Sequence, residues 1–161
     1  MNPLSIIKFG IIQQSYRLLL LPIALVVTHP IEAYAQIIPD ATLPINSSVS
    51  AIGSTTTING GTTVGGNLFH SFQQFSLPSG TAFFNNSTAI QNIIARVTGN
   101  NPSNINGILQ TNGNANLFLI NPNGISFGTD ARLNIGGSFV ASTAQSLKFA
   151  DGNSFSARWS D

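Results

Sequence analysis

The stretch Ala115-Asn116-Leu117-Phe118-Leu119-Ile120-Asn121-Pro122-Asn123-Gly124-Ile125-Ser126-Phe127-Gly128 sets a short apolar run, an Asn-Pro-Asn-Gly corner and a second short apolar run end to end. Pro122 presets φ at the first turn position, and Asn123-Gly124 supplies residues that accept the next, sharper bend. This is a buried strand, a rigid corner and another strand, with no length left for a helix.

The same grammar repeats on both sides. Ala82-Phe83-Phe84, Ile90 to Val97, Ile105 to Gln110, Leu133 to Ile135 and Ser138 to Thr143 are short apolar or β-branched runs bounded by Gly, Asn or Pro. Runs of this length suit a pleated surface, and the gaps between them are too short for the helical crossovers of a βαβ unit. Further back, Ala51 to Ile58 reads as a Thr-rich strand ending at a hairpin-type turn, Asn59-Gly60-Gly61. Phe69, Phe72 and Phe75 recur every third residue, a spacing open to a helical turn or to a bent strand crossing the core, although Gly65-Gly66 and Pro78 make a long helix improbable. Gln36 to Ser50, with Pro39 and Pro44, reads as an extended lead-in that pairs at an edge. The fold class is all-β.

Turn chemistry narrows the architecture to two. After Ala35 the chain has 17 Asn and 14 Gly, with Asn-Gly pairs at Asn59, Asn106, Asn112 and Asn123. Both residue types tolerate positive φ. A β-sandwich would use the pairs as hairpins. A parallel β-helix would place them at coil corners, with asparagine side chains stacked in hydrogen-bonded ladders, and coils of ~20 residues would give about five of them. Recurrence every 8 to 12 residues fits both, so periodicity alone leaves the choice open.

The N-terminal segment has a different composition. Lys8 and Arg17 precede the apolar run Leu18 to Val27, and Ala33-Tyr34-Ala35 stands before Gln36. Basic residues, a short apolar core and a small-residue site are the order of a secretory signal. The core, broken by Pro22, is shorter than the ~20 residues of a membrane span. We expect export through the Sec translocon and cleavage by signal peptidase between Ala35 and Gln36, leaving residues 36–161 as one domain. Its charges are Arg96, Arg132, Lys148 and Arg158 against Asp40, Asp130, Asp151 and Asp161. That balance lacks the clustered cations a nucleic acid or acidic lipid would require. There is no cysteine, so no disulfide framework supports the fold.

The corner Asn121-Pro122-Asn123-Gly124-Ile125 closely resembles a signature of the filamentous haemagglutinin N-terminal domain, the secretion domain of two-partner secretion exoproteins. Asn67-Leu68-Phe69-His70-Ser71-Phe72 is similar to the family's upstream element, and Asp130 to Thr143 to the segment that follows the corner. The family's other signature, Asn-Pro-Asn-Leu, has no counterpart; Asn101-Pro102-Ser103-Asn104 comes nearest, and no role is carried onto it. The resemblance implies a right-handed parallel β-helix with an N-terminal cap. It also implies type V secretion in a Gram-negative cell: transit of the periplasm, engagement by the periplasmic domains of an outer-membrane β-barrel transporter, and delivery to the cell surface or beyond. Asn121 to Ile125 would be the motif tied to secretion competence. The family's domain is longer and normally leads into a repetitive passenger, so the domain at 36–161 is expected to be incomplete at its C-terminus.

Two other functions compete with a secretion address. A stand-alone adhesin or carbohydrate-binding β-helix would need an exposed aromatic or polar patch, and most phenylalanines sit in core-like runs. A polysaccharide-active β-helix enzyme would need paired acids or a base. The four aspartates are scattered, and His70, the one histidine after Ala35, through which a Ser/His/Asp site would have to run, reads instead as a residue packed near the phenylalanine cluster. Gly60 to Asn67 lacks the lysine of a phosphate loop, and no His/Cys cluster suggests a metal. We expect no catalytic residue, cofactor, metal or small-molecule substrate. Asp130 and Arg132 read as a solvated or coil-end pair, and the sequons at Asn46, Asn85 and Asn86 carry meaning only in a glycosylating host.

Overall fold

The computed structural model describes residues 36–158. The expected signal, including Ala33 and Ala35, lies outside the described residues, as does Trp159. The lead-in forms β1 (Gln36–Pro39), an edge strand as its prolines suggested, and runs antiparallel to a later strand. Next come β2 (Ser47–Ile52) and β3 (Thr55–Gly60), an antiparallel hairpin. Its turn is Gly53-Ser54, not Asn59-Gly60-Gly61: Ile52 pairs with Thr55, and Gly53 alone takes positive φ, at 57°. This is the two-residue loop in which glycine at the first position matches the twist of the strands. β4 (Thr62–Val64) turns back antiparallel onto β5 (Asn67–Ser76).

From β6 onward every ladder until the last is parallel. β6 (Thr81–Phe84), β7 (Asn92–Val97) and β8 (Ser103–Ile105) make one coil; β9 (Ile108–Thr111), β10 (Asn116–Ile120) and β11 (Ile125–Phe127) make the next; β12 (Arg132–Asn134) and β13 (Phe139–Ser142) belong to the last. The sheets run β1-β5-β7-β10-β13, β2-β3-β6-β9-β12 and β8-β11. Parallel neighbours one coil apart make this a β-helix of about 4 turns, with no helix among the described residues; the sandwich is excluded. There are about four coils instead of five because each takes more than 20 residues and the C-terminal hairpin stays outside the parallel ladders. β14 (Ser146–Lys148) and β15 (Ser154–Ser156) form a hairpin of their own.

The core is a set of rows running through the coils. Leu68, Ile93, Leu117 and Phe139 share one register position, and Thr56, Ala82, Leu109 and Leu133 another. Leu109 is 0% exposed and Leu133, in the final coil, is 53% exposed. The triplet spacing in β5 is explained by an irregularity: Ile38 pairs with Gln74 and Pro39 with Phe72, so Gln73 is skipped. An extra residue shifts the in-out alternation, and Phe72 and Phe75 both reach the core while Phe69 points outward.

Asparagine ladders tie the coils as expected. Asn92 Nδ2 donates to Asn67 Oδ1 at 2.8 Å, Asn116 Nδ2 to Asn92 Oδ1 at 2.9 Å, and the Ser138 amide caps Asn116 Oδ1 at 2.8 Å. Asn86 and Asn112 exchange side-chain and backbone bonds between two corners. Asparagine is not the residue that bends: all positive φ values among the described residues fall on glycine. Ile105 to Gln110, read as one run, breaks at Asn106-Gly107. A Cβ on Gly107 would stand 2.4 Å from the Gly80 carbonyl oxygen, so close approach selects glycine there.

Candidate functional site

The Asn-Pro-Asn-Gly corner links β10 to β11 and is glued to the coils on either side. Asn121 is 0% exposed. Its Nδ2 donates to the Asn101 carbonyl at 3.0 Å and to Ser103 Oγ at 2.9 Å, and its Oδ1 accepts the Asn123 amide at 3.0 Å. Asn123 Nδ2 donates to the Gly99 carbonyl at 2.7 Å. The Gly124 amide closes the turn onto the Asn121 carbonyl at 3.1 Å, its own carbonyl accepts from Ser103 at 3.0 Å, and the Asn121 amide donates to Ser142 at 2.9 Å. Gly124 has φ 114°, a value that L side chains avoid. Ile125 packs against the core, while Pro122 and Asn123 are half-exposed. Residues 99–103, to which the sequence assigned no role, form the floor of the corner. The signal was present in Asn101-Pro102, an Asn-Pro pair lying one coil behind Asn121-Pro122.

The upstream element divides by strand alternation. Leu68, His70 and Phe72 enter the core, Asn67 starts the ladder, and Phe69 and Ser71 face outward. His70 is 1% exposed, between the rings of Phe72 at 6.0 Å and Phe84 at 5.5 Å. Its Nδ1 lies 2.8 Å from Ser47 Oγ, and Nε2 is buried without a hydrogen-bond partner. A serine beside a histidine is the start of a nucleophilic pair. Here burial lowers the histidine pKa to about 4, too acidic for a base at neutral pH, and no carboxylate orients the ring. His70 is a packed core residue.

The densest polar cluster is on the outer face of the first sheet and was not foreseen. Asp40 Oδ2 accepts from Ser71 Oγ at 2.8 Å and Thr98 Oγ1 at 2.6 Å, and Oδ1 from the Thr42 amide at 3.1 Å and from its hydroxyl. Burial works to raise the Asp40 pKa, but these bonds outweigh it and hold the group below its ordinary value. Arg96 donates from Nε to Ser71 Oγ at 2.9 Å, from Nη2 to Thr42 Oγ1 at 3.0 Å and from Nη1 to the Ser156 carbonyl, with Cζ 4.3 Å from the centre of the Phe155 ring. Burial lowers its pKa, and the Asp40 charge opposes that. Beside the cluster, Phe69, Ile94, Phe118 and Ile120 form an apolar strip under the β14–β15 hairpin. A cleft of about 640 Å³ opens between the hairpin and Leu43, Val64 and Phe69.

Asp130 and Arg132 do not form the expected pair. Both are exposed; the Asp130 amide donates to Asn106 Oδ1 at 3.0 Å, and Arg132 Nη1 to the carbonyls of Thr129 at 3.0 Å and Ala131 at 2.8 Å. Asn86 is buried in its ladder and Asn85 Nδ2 donates to Asn59 Oδ1 at 2.8 Å. No group of three His, Cys, Asp or Glu among the described residues could hold a metal ion.

Stacked coils joined through asparagine, one end sealed by antiparallel strands, and a corner built on a buried Asn-Pro pair place this chain among the capped β-solenoid domains. Residues 35–161 match the family model described as the TPS secretion domain, and the chain belongs to that family: it is a two-partner secretion exoprotein domain. No curated protein matches it.

Proposed function

We propose that this domain is the address by which its exoprotein is recognised by a cognate outer-membrane β-barrel transporter. Membership of the TPS secretion domain family across residues 35–161 is the observation that carries the reading. The route begins with the Sec translocon and with cleavage after Ala35 by signal peptidase. It continues through the periplasm, where the transporter's periplasmic domains engage the chain, and ends at the cell surface or in the medium. One feature supports the cleavage point: the family match opens at residue 35. Any haemagglutinin or adhesin activity belongs to the exoprotein as a whole and is a separate property from the address.

The geometry refines what the Asn121 to Ile125 motif contributes. The Asn121 side chain makes its bonds inside the domain, which supports a motif that acts by building the corner, with the half-exposed Pro122 and Asn123 open to a partner. Co-expression with the partner transporter should deliver the chain outside the cell, and Asn121→Ala or Gly124→Ala should retain it in the periplasm. Pro122→Ala, which leaves the Asn121 bonds in place, separates contact from folding. Equal secretion of Asn121→Ala and parent, or secretion of the parent without a transporter, would sink the proposal.

A further inference from the structure

The β14–β15 hairpin is the one described element after β5 that joins no parallel ladder: its strands pair only with each other. It is held on the outer strip by Phe149 and Phe155 against Phe69, at 5.9 and 5.0 Å between ring centres, and by Arg96, which lies over Phe155 and bonds the Ser156 carbonyl. The lead-in beyond β1 is held on the same face. There the Asp40 amide donates to the Ser71 carbonyl at 3.2 Å, the Asp40 side chain collects three hydroxyls, and Thr42 accepts from Arg96. Both ends of the domain therefore meet on one guanidinium, 54 residues from Thr42 and 60 from Ser156. A guanidinium is a planar, rigid fork. Turning it to keep one partner after another has left misaligns the remaining bonds.

We propose that Arg96 is a clasp that couples docking of the C-terminal hairpin to docking of the N-terminal lead-in, so that the Phe69-Ile94-Phe118-Ile120 strip is fully covered only when both ends of the domain are in place. Asp40 takes part without touching the hairpin, by fixing Thr42 and Ser71, the two hydroxyls that orient the fork from the lead-in side.

Coupling of this kind is reciprocal, and the purified full chain can be read from both ends. Lys148 is an exposed trypsin site in the hairpin, and Arg132 is an exposed internal control in β12. Asp40→Asn should raise native-state cleavage after Lys148 by roughly tenfold, within the usual span of coupling between sites, and leave cleavage after Arg132 unchanged. In the other direction, Phe155→Ala should speed hydrogen exchange at the Asp40 and Thr42 amides by a similar factor, a measurement that stands even if Asp40→Asn does not fold. Asn112→Ala, at a corner away from the clasp, serves as a general destabiliser. The proposal is overturned if Phe155→Ala leaves those two amides at the parental rate. It is also overturned if Asp40→Asn leaves Lys148 cleavage within twofold of the parent, or if Asn112→Ala raises it as much as Asp40→Asn does.

Discussion

Acidification from pH 7 to pH 4.5 is expected to remove about 2.5 kcal/mol of folding stability through His70 alone. In the folded domain, burial between aromatic rings lowers the His70 pKa to about 4; in the unfolded chain it is ~6.5. Above the unfolded value neither state holds the proton, and stability does not vary with pH. Between the two values the unfolded chain takes up a proton that the folded chain refuses, so stability falls as pH falls. Below the folded value both states are protonated, and the loss levels off at about 3.4 kcal/mol, from a gap of roughly 2.5 pH units at about 1.36 kcal/mol each. His70 is 1% exposed, so solvent screening does not dilute the effect. Asp40, whose folded pKa is also depressed, adds its own loss only as pH falls below the unfolded carboxylate value of ~3.9. The assay is urea unfolding followed by far-UV circular dichroism at pH 7, 6, 5 and 4.5, with a His70→Asn variant alongside. The variant starts less stable and should lose under about 0.5 kcal/mol over this window. A parent whose stability is flat from pH 7 to 5, or a variant with the parental slope, would refute the argument.

Three further outcomes are expected. Asn121→Ala deprives the Asn101 carbonyl and Ser103 Oγ of a buried donor and should cost roughly 2–3 kcal/mol, seen as a lower midpoint in a thermal melt at neutral pH. Asn92→Ala breaks the ladder on both sides, orphaning Asn67 Oδ1 and Asn116 Nδ2, at about 1–3 kcal/mol; equilibrium denaturation with an unchanged m-value would report it as a loss of stability and not of compactness. Leu109→Ala and Leu133→Ala remove the same side chain from one core row, yet the first should cost about 2–5 kcal/mol and the second under about 1 kcal/mol, because Leu109 is 0% and Leu133 53% exposed. Paired urea titrations that give equal losses would contradict the row assignment.

The strands were legible where pattern and turn chemistry agreed. Leu117 to Ile120, the Asn-Pro-Asn-Gly corner and Ile125 to Phe127 fold as read, since Pro122 and Gly124 act locally. Packing of His70 among phenylalanines was legible for the same reason: strand alternation puts it beside Leu68 and Phe72. Boundaries that depend on a neighbouring coil were not. Gly107 ends a run because Gly80 lies beneath it, and nothing local to Ile105 to Gln110 announces that approach. The β14–β15 hairpin carried a readable cue in Asp151-Gly152, with φ 86° at the glycine, but Ser and Lys diluted its apolar pattern. The Asp40–Arg96 cluster was hidden by distance along the chain. Arg96 reaches partners 25 to 60 residues away, and the members sit on outward-facing strand positions or just past strand ends, which look solvated in any one-dimensional reading.

Because each coil touches only the coils before and after it, the domain behaves as a one-dimensional row of interfaces. β1 and β2 stitch one end with antiparallel pairing, while on β12 and β13, within the described residues, Leu133 and Val140 are 53% and 42% exposed. Thermal opening therefore has a direction. It starts at β12 and β13, must part the Asn116–Ser138 contact before it can reach Asn92, and weakens toward the stitched end. The ladders away from the hairpin-covered strip form a zipper, and the lifetimes of their amide protons should lengthen coil by coil from β12 back to β3.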